Sequence, residues 1–402
     1  MRTVRAAVVG GGIIGVAVAR QLVRTSDDID VTVFEKEDRL AAHQTGHNSG
    51  VVHAGLYYPP GSLKATLCRR GVELLQDFAR TRDLRYDECG KVVVARDVDE
   101  LDRLRTIFER AVANGVPDLK MLDADALRAV EPYARGIAAL HSPHTAVVDY
   151  VEVTDALAAD LRAGRGRILL SQEVVGLAQR GKAVEVSTPE CSESFDVVIT
   201  CAGLQSDRLA RRGGDPVDPR IVPFFGEYYL VKPHKRHLVQ GLIYPVPDPR
   251  YPFLGIHLTK RVDGAVMVGP NAFLSMGRES YARRAFSLRD GSASVSFPGF
   301  WRFAGRNMRV ALRESRTVLS TSAFIAEARK YVPDLGVDDV VRGPRGVRAQ
   351  AMDSRGGLID DFVITGSDRL LHVRNAPSPG ATSSMAIAEY VVAEALQRAD
   401  LA

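Results

Sequence analysis

Cysteine is scarce in this sequence, and its spacing argues against two classes of protein. The chain of 402 residues contains four cysteines, Cys68, Cys89, Cys191 and Cys201. None belongs to a C-x-x-C pair or lies near a pair of histidines, as the ligands of a structural zinc site usually do. We therefore expect neither a disulfide framework nor a metal site, and each cysteine is most simply a small buried or half-buried hydrophobic residue.

Long apolar runs and an excess of charge of one sign are also missing. No uninterrupted apolar stretch approaches the length of a membrane span, and the apolar N-terminal run lacks a signal-peptide cleavage site, so we expect a cytoplasmic protein. The net charge is +4 with both signs interspersed, which gives no compositional support to a nucleic-acid partner. With 46% hydrophobic and 25% charged residues, a chain of this length can form two or three globular domains.

What the sequence does have is a glycine-rich turn close to its beginning. Residues 6–9 form a short, continuous apolar run that is typical of a strand buried on both faces. Gly10, Gly12 and Gly15 follow with the spacing G-x-G-x-x-G, and the apolar periodicity of residues 13–24 predicts a helix. Strand, turn and helix in this order indicate a dinucleotide-binding unit, whereas the glycine spacing alone would also fit an ordinary turn.

Each residue of this motif has its own physical task. Gly10 would make the tight turn, Gly12 would let the backbone approach a pyrophosphate, and Gly15 would permit close packing of helix on strand. A second strand, predicted over residues 31–34, ends at Glu35, whose carboxylate would accept hydrogen bonds from an adenosine ribose. The motif does not distinguish NAD from FAD. Because no second G-x-G-x-x-G follows, the sequence favours FAD in an enzyme that oxidises its own organic substrate.

A loop rich in glycine, histidine, asparagine, serine and tyrosine lies within residues 41–60. Helical periodicity begins after it and predicts a helix over residues 61–79. His53, Tyr57 and Tyr58 stand just before that helix, where loop side chains can project over a cofactor. His53 could act in catalysis or bond backbone groups of the loop, and the pattern leaves both roles open.

The segment TGHNSGVVHAGLYYPPGSLKA, residues 45–65, resembles a conserved block of the L-2-hydroxyglutarate oxidase/dehydrogenase family. That family is a branch of the superfamily of FAD enzymes that includes D-amino-acid oxidase, glycine oxidase and sarcosine oxidase. The resemblance extends along the whole chain. Similar blocks are YDECGKVVVA (86–95), ALHSPHTAVVDY (139–150), CAGLQSDR (201–208), IVPFFGEYYLV (221–231), GLIYPVPDPRYPFLGIHLT (241–259), GPNAF (269–273), GVRAQ (346–350) and NAPSPGATSSMAIAEY (375–390).

The resemblance implies FAD as cofactor and an α/β fold, in which a single FAD-binding Rossmann-like domain is interleaved with an antiparallel-sheet substrate domain. It further implies that the backbone of Val174 contacts the adenine. The turn from Gly380 to Ser383 would open the last helix against the flavin pyrimidine ring, where N–H groups stabilise the negative charge of the reduced ring. The implied cofactor-binding residues are Gly10, Gly12, Ile13, Ile14, Gly15, Glu35, Lys36, Thr45, Asn48, Ser49, Gly50, Val174, Ala202, Gly203, Gly380, Ala381, Thr382 and Ser383.

The two domains alternate along the chain. The predicted FAD-binding domain comprises residues 1–84, 145–215 and 340–402, and the predicted substrate domain comprises residues 85–144 and 216–339. Aromatic and β-branched residues dominate residues 221–269, which predicts an antiparallel sheet there. Elsewhere we expect a helix over residues 97–114, strands over 168–177 and 195–203, and a final helix that ends near Arg398.

Oxidation of a 2-hydroxy acid needs a base for the hydroxyl proton and an anchor for the carboxylate. Neutral imidazole suits the first task, so His53 and His257 are the candidate catalytic residues, with no choice between them. Arg348 is the candidate anchor because its planar guanidinium matches a carboxylate. An internal ion pair of Arg348 is the alternative.

A dicarboxylic acid needs a second anchor, for which Lys260, Arg345 and the tyrosines are candidates. Tyr228, Tyr229 and Asn271 are the further polar residues that we expect at the substrate. Because successive side chains of a strand point to opposite faces, at most one of the two tyrosines should touch it.

The resemblance implies FAD-dependent oxidation of L-2-hydroxyglutarate, or a closely related small anionic 2-hydroxy dicarboxylic acid, to 2-oxoglutarate by hydride transfer to flavin N5. An amine or amino-acid oxidase of the same superfamily and a non-catalytic flavin-binding partner protein are the alternatives. Oxygen and quinone stay open as electron acceptors. Residues 297–316 contain Trp301 and five arginines against one glutamate, which fits either peripheral contact with the inner face of a membrane or a basic helix packed on the substrate domain.

Overall fold

A computed structural model describes residues 3–250, 253–282, 285–308 and 320–401. Its first sheet contains the strands predicted on either side of the glycine motif. Six strands lie in the order Val363–Gly366, Leu370–Asn375, Val197–Thr200, Val4–Val9, Ile29–Phe34 and Gly166–Leu169. Neighbouring strands are parallel except at the edge, where Val363–Gly366 is antiparallel to Leu370–Asn375.

Both faces of this parallel sheet are covered, which explains why its central strands are apolar without alternation. Helices Ile13–Thr25, Tyr150–Ala163 and Ser384–Arg398 pack on one face with valine, leucine and alanine side chains. A small antiparallel sheet of strands Gly176–Arg180, Ala183–Ser187 and Ser192–Phe195 packs on the other face. The carboxyl ends of the parallel strands therefore point together at one edge of the sheet.

A larger sheet forms the second layer of the molecule. Its strands lie in the order Phe273–Leu274, Arg220–Val231, Val266–Gly269, His257–Lys260, Leu242–Pro245, Lys91–Ala95, Ala138–Ser142 and Lys120–Asp123, and Val340–Met352 also pairs with Arg220–Val231. Pairing is antiparallel except between Leu242–Pro245 and Lys91–Ala95, which are parallel. The antiparallel sheet predicted from residues 221–269 is confirmed.

The remaining elements connect and cover these sheets. A third, small sheet joins Val51–Val52, Ala146–Val148 and Tyr86–Asp87. The other helices are Leu63–Thr81, Val98–Ala113, Ala124–Val130, Ser206–Arg212, Leu288–Val295, Pro298–Arg306 and Thr321–Arg329, with short 3-10 helices at Gly203–Gln205, Pro233–Leu238 and Val337–Asp339. Within the described residues, no helix has both the length and the apolar character needed to cross a membrane.

Local signals predicted several elements well. The helix expected over residues 97–114 is Val98–Ala113, and the Asp97 side chain caps it by accepting a hydrogen bond from Glu100 N at 2.8 Å. The single strand expected over residues 168–177 is wrong. That stretch holds the end of Gly166–Leu169 and the start of Gly176–Arg180, and between them Ser171 adopts a positive φ of 57°, which a strand cannot accommodate.

The division into two domains stays a prediction, and one strand at its boundary near residue 340 lies in the larger sheet. Val340–Met352 pairs along its length with Arg220–Val231, so it belongs to the larger sheet rather than to the nucleotide-binding sheet. Local sequence patterns could not predict this pairing, because it joins segments more than a hundred residues apart along the chain. The chain returns to the parallel sheet only with Val363–Gly366.

Candidate active site

A cavity of about 930 Å³ lies where the two sheets meet. The residues that follow four of the parallel strands line it, namely Gly10, Glu35, Cys201 and Ala376. Residues of the larger sheet, including Tyr228, Tyr244, His257 and Arg348, line it from the other side. Ligands of open α/β sheets bind at this carboxyl edge, so the cavity is the candidate site.

The glycine turn at the cavity leaves no room for side chains. Gly10 has a φ of +118°, and a Cβ atom there would lie 2.4 Å from the carbonyl oxygen of Cys201. A Cβ atom on Gly15 would lie 1.9 Å from the carbonyl oxygen of Gly10. The helix Ile13–Thr25 thus begins directly under the turn, with its positive N-terminal end toward the cavity.

The residues after the second parallel strand make a polar wall. The Glu35 carboxylate, only 8% exposed, accepts hydrogen bonds from Gly11 N at 2.5 Å and from Glu37 N at 2.9 Å. The Lys36 ammonium donates to Glu37 at 2.5 Å and to Glu279 at 2.9 Å. Glu35 is therefore held at the cavity, whereas Lys36 forms ion pairs with two carboxylates of the protein itself.

The turn before the last helix lies against the loop that carries His53. Gly380, Ala381 and Thr382 line the cavity, and the helix itself begins at Ser384. The Thr382 hydroxyl accepts a hydrogen bond from His53 N at 3.1 Å and is 3.0 Å from the Tyr150 hydroxyl. These contacts fix the loop of His53 against the turn.

Four histidines line the cavity, and two of them, His53 and His257, lie near each other. Burial, together with the nearby positive charge of Lys91, lowers the pKa of each imidazole to about 3, so both are neutral at physiological pH. Nδ1 of His257 lies 2.9 Å from the carbonyl oxygen of Gly255. Since a carbonyl only accepts, Nδ1 carries the proton and Nε2 is left as a proton acceptor.

A lysine lies beneath these histidines. Lys91 is 3% exposed, and its ammonium is 3.8 Å from the ring centroid of Tyr244 and 4.8 Å from that of Tyr57. The Tyr244 ring also stacks on His257, with centroids 4.0 Å apart. Burial lowers the pKa of Lys91 to about 7. Because the strand of Tyr244 lies between those of Lys91 and His257, the three side chains form a row on one face of the sheet.

Arg348 also lines the cavity. Its guanidinium carbon is 5.5 Å from the ring centroid of Phe253, and burial lowers its pKa. Among the residues that the structure describes, it forms neither a hydrogen bond nor an ion pair. A half-buried arginine without an anion is unfavourable unless a ligand supplies one.

Comparison with known proteins gives the family. A model of the family described as FAD dependent oxidoreductase matches residues 5–394. The chain belongs to the FAD dependent oxidoreductase family. Relatives of this oxidoreductase are named L-2-hydroxyglutarate dehydrogenase. One from Caenorhabditis elegans is 46% identical over 97% of this chain and 93% of its own length, and one from Homo sapiens is 42% identical over 98% and 89%.

Solved structures share the fold of this oxidoreductase. L-alpha-glycerophosphate oxidase from Mycoplasma pneumoniae, solved with FAD bound, has a TM-score of 0.79 at 22% identity and covers 100% of this chain and 95% of its own. Glycine oxidase from Geobacillus kaustophilus has a TM-score of 0.72 at 18% identity, with coverage of 98% and 95%. The expected fold class and FAD cofactor are both confirmed.

The cavity of the oxidoreductase fits this cofactor. The side-chain-free turn at Gly10 and Gly15 meets a helix N-terminus, which suits a pyrophosphate, and Glu35 is placed to bind a ribose. The turn Gly380–Thr382, just before the last helix, also lines the cavity. Together these groups leave donors and acceptors for a long polar ligand.

Most of the residues expected to bind the cofactor or substrate do line the cavity. Those that line it are Gly10, Gly12, Ile13, Ile14, Gly15, Glu35, Lys36, Thr45, Asn48, Ser49, Val174, Ala202, Gly203, Gly380, Ala381, Thr382, His53, His257, Tyr228 and Arg348. Thr45 also accepts a hydrogen bond from Ile13 N at 3.1 Å, which joins the polar loop to the helix N-terminus.

Four expected residues lie elsewhere. Tyr229 faces the core, where its hydroxyl is 2.9 Å from that of Thr321, and Asn271 accepts a hydrogen bond from Glu227 N at 2.9 Å. Gly50 and Ser383 lie behind the lining residues. The two candidates for a second anchor are also occupied: Lys260 pairs with Asp87 at 2.9 Å and Arg345 with Glu227 at 3.2 Å.

Sequence reasoning missed three residues of the site. Tyr244 and Lys64 line the cavity, and Lys91 lies beneath Tyr244. One signal for Lys91 was present, because a lysine opens the apolar strand Lys91–Ala95, all of which is buried. Nothing in the local sequence distinguishes Tyr244 or Lys64 from ordinary strand and helix residues.

Proposed function

We propose that this oxidoreductase converts L-2-hydroxyglutarate, or a closely related 2-hydroxy dicarboxylic acid, to the 2-oxo acid. The observation that carries the proposal is Arg348, a half-buried cation without an anion among the described residues, in a cavity that His53 and His257 also line as neutral imidazoles. A 2-hydroxy acid supplies a carboxylate for Arg348 and a hydroxyl proton for one of the histidines. The names of the relatives support the same substrate.

The residues divide the task among them. Arg348 donates two N–H groups to the carboxylate that is attached to the reacting carbon. His257 accepts the hydroxyl proton at Nε2, since its Nδ1 proton is held by Gly255. His53 orients the hydroxyl, and the rings of Tyr228 and Tyr244 exclude water. Bound FAD supplies the hydride acceptor.

Product analysis under turnover tests this proposal. The purified enzyme would be incubated with L-2-hydroxyglutarate and an artificial electron acceptor, with its D enantiomer, L-malate and L-glutamate in parallel. We expect 2-oxoglutarate from the first compound and little turnover of the others. Faster turnover of L-glutamate, with release of ammonia, would favour an amino-acid oxidase instead. A flavin that no small substrate reduces would favour a binding protein.

For the electron acceptor we propose a membrane quinone, reached by peripheral contact of a cytoplasmic enzyme with the inner face of the membrane. The helix Pro298–Arg306 supports this, since Trp301 is 58% exposed and Arg306 is also exposed. Residues 309–316 of the basic segment lie outside the described residues. Sedimentation with anionic and with neutral vesicles tests the contact. We expect the enzyme to sediment with anionic vesicles and W301A to do so less. Equal recovery of the enzyme in the supernatant with anionic and with neutral vesicles would contradict membrane contact, and oxygen would then be examined as the acceptor.

A further inference from the structure

We infer that Lys64 is the second anchor of the substrate and selects acids with two carboxylates over acids with one. This inference rests on the proposed function, because it assumes that Arg348 holds the carboxylate beside the reacting carbon. The anchors expected from sequence, Lys260 and Arg345, are both paired to acidic residues and lie outside the cavity lining.

The positions of the other lining cations leave few alternatives. Lys36 pairs with Glu279 at 2.9 Å, and Arg208 pairs with Asp290 at 2.6 Å. Arg212 donates to the carbonyl oxygen of Val174 at 3.5 Å, and Arg374 donates to that of Pro219 at 2.7 Å. Lys64 and Arg348 also line the cavity, and they lie close enough to His53 and His257 respectively for their charges to lower the pKa of these imidazoles.

Lys64 is held firmly but is not saturated with hydrogen bonds. It lies in the first turn of the helix Leu63–Thr81, is 5% exposed, and its ammonium is 4.9 Å from the ring centroid of Tyr58. The ammonium donates to Oδ1 of Asp360 at 2.6 Å and to the carbonyl oxygen of Asp360 at 3.1 Å. Because an ammonium has three N–H groups, one donor is left for another acceptor.

The partner of Lys64 is well suited to be replaced. The Asp360 side chain is 85% exposed, whereas that of Lys64 is 6% exposed. A carboxylate in water gains little from an ion pair, so its exchange for the carboxylate of a bound ligand costs little. Asp360 also lines the cavity, which places this exchange at the site itself. We therefore expect Asp360 to compete with the second carboxylate of the ligand.

The two carboxylates of the substrate would then be bound by two cations on different elements. Arg348 lies on the strand Val340–Met352, and Lys64 lies on a helix that follows the loop of His53. A dicarboxylic acid can engage both cations, while a monocarboxylic acid can engage only Arg348. Selectivity for the second carboxylate would then depend on Lys64 and not on the groups that perform the chemistry.

Binding of acids that cannot be oxidised tests this directly. Glutarate and butyrate, which differ by one carboxylate and lack the hydroxyl, would be titrated into the FAD-loaded enzyme while the flavin spectrum is recorded. In K64M, which keeps the length of the side chain without its charge, we expect the Kd of glutarate to rise about 10- to 100-fold. The Kd of butyrate should stay within about twofold of the wild-type value, because K64M removes no contact with that ligand.

Two further variants complete the test. K64R should keep most of the preference for glutarate, and D360N should bind glutarate at least as tightly as the wild type because a competing carboxylate is gone. Should K64M fail to retain FAD, K64Q carries the same comparison. An equal loss of glutarate and butyrate, or no loss of either, would overturn the inference. Since neither ligand is oxidised, a selective loss of glutarate would stand even if L-2-hydroxyglutarate proved not to be the substrate.

Discussion

Replacement of Arg348 by methionine should separate function from stability. Arg348 is a half-buried cation without an anionic partner among the described residues, so its charge is partly desolvated at a cost that a bound anion would offset. Replacing buried charges by apolar side chains of similar volume is often stabilising by about 1–4 kcal/mol. Loss of the contact with Phe253, whose ring centroid is 5.5 Å away, offsets about 0.5–1 kcal/mol of that gain.

The same substitution should nearly abolish turnover. Two charge-assisted hydrogen bonds to the substrate carboxylate contribute about 1.5–3 kcal/mol each. Their loss predicts a fall in kcat/KM of roughly 10²- to 10⁴-fold. Lysine keeps the charge but not the planar pair of donors, so R348K should recover only part of the activity.

Thermal unfolding and steady-state kinetics of the FAD-loaded wild type, R348M and R348K measure both effects. For a chain of this length, the expected gain in stability raises the midpoint of R348M by roughly 1–3 °C. The account requires higher stability together with lower kcat/KM. A midpoint several degrees below that of the wild type would mean that Arg348 holds the fold together, and the reasoning from its unpaired charge would be refuted.

Three other substitutions test separate parts of the site. H257Q removes the proton acceptor, so kcat should fall about 10²- to 10⁴-fold with FAD still bound; a kcat near the wild-type value would shift the role of base to His53. K91M removes a positive charge that lowers the pKa of both histidines, so the acid limb of the kcat/KM profile should move to higher pH, while the exposed control K182M leaves it in place. An unmoved limb in K91M would mean that the charge does not act on the base. G15A should lose FAD because its Cβ would lie 1.9 Å from the carbonyl oxygen of Gly10. The control G305A should keep FAD because a Cβ there would meet nothing within 4 Å, and equal FAD content in the two variants would contradict the packing described for the turn.

Local sequence patterns predicted the strands and the helix around the glycine turn, while the cofactor contacts of these residues stay a prediction. Gly10, Gly15 and Glu35 act within a continuous stretch of strand, turn and helix, so their geometry follows from neighbouring residues. Arg348 and His257 were found through short blocks of family resemblance, and the structure then shows that both line one cavity. The resemblance could not say which histidine has a free acceptor nitrogen, since that depends on the contact of His257 with Gly255.

Long-range pairing accounts for what the sequence did not predict. Lys91 joins Tyr244 and His257 in one row only because its strand, from a distant part of the chain, pairs with Leu242–Pro245 in the larger sheet. Alternation allowed Tyr228 or Tyr229 to face the cavity, and an irregularity of pairing between Glu227 and Tyr229 makes the choice hard to read from sequence. Lys64 has an ordinary helical context, so its role could be inferred only once Asp360 was placed beside it.

Anaerobic mixing of the FAD-loaded enzyme with one equivalent of L-2-hydroxyglutarate would show whether this acid reduces the flavin. We expect rapid loss of the oxidised flavin absorbance with formation of an equal amount of 2-oxoglutarate, and no loss with the D enantiomer under the same conditions. An oxidised flavin that persists with both enantiomers would contradict the proposed substrate, while the FAD-binding cavity itself would stand.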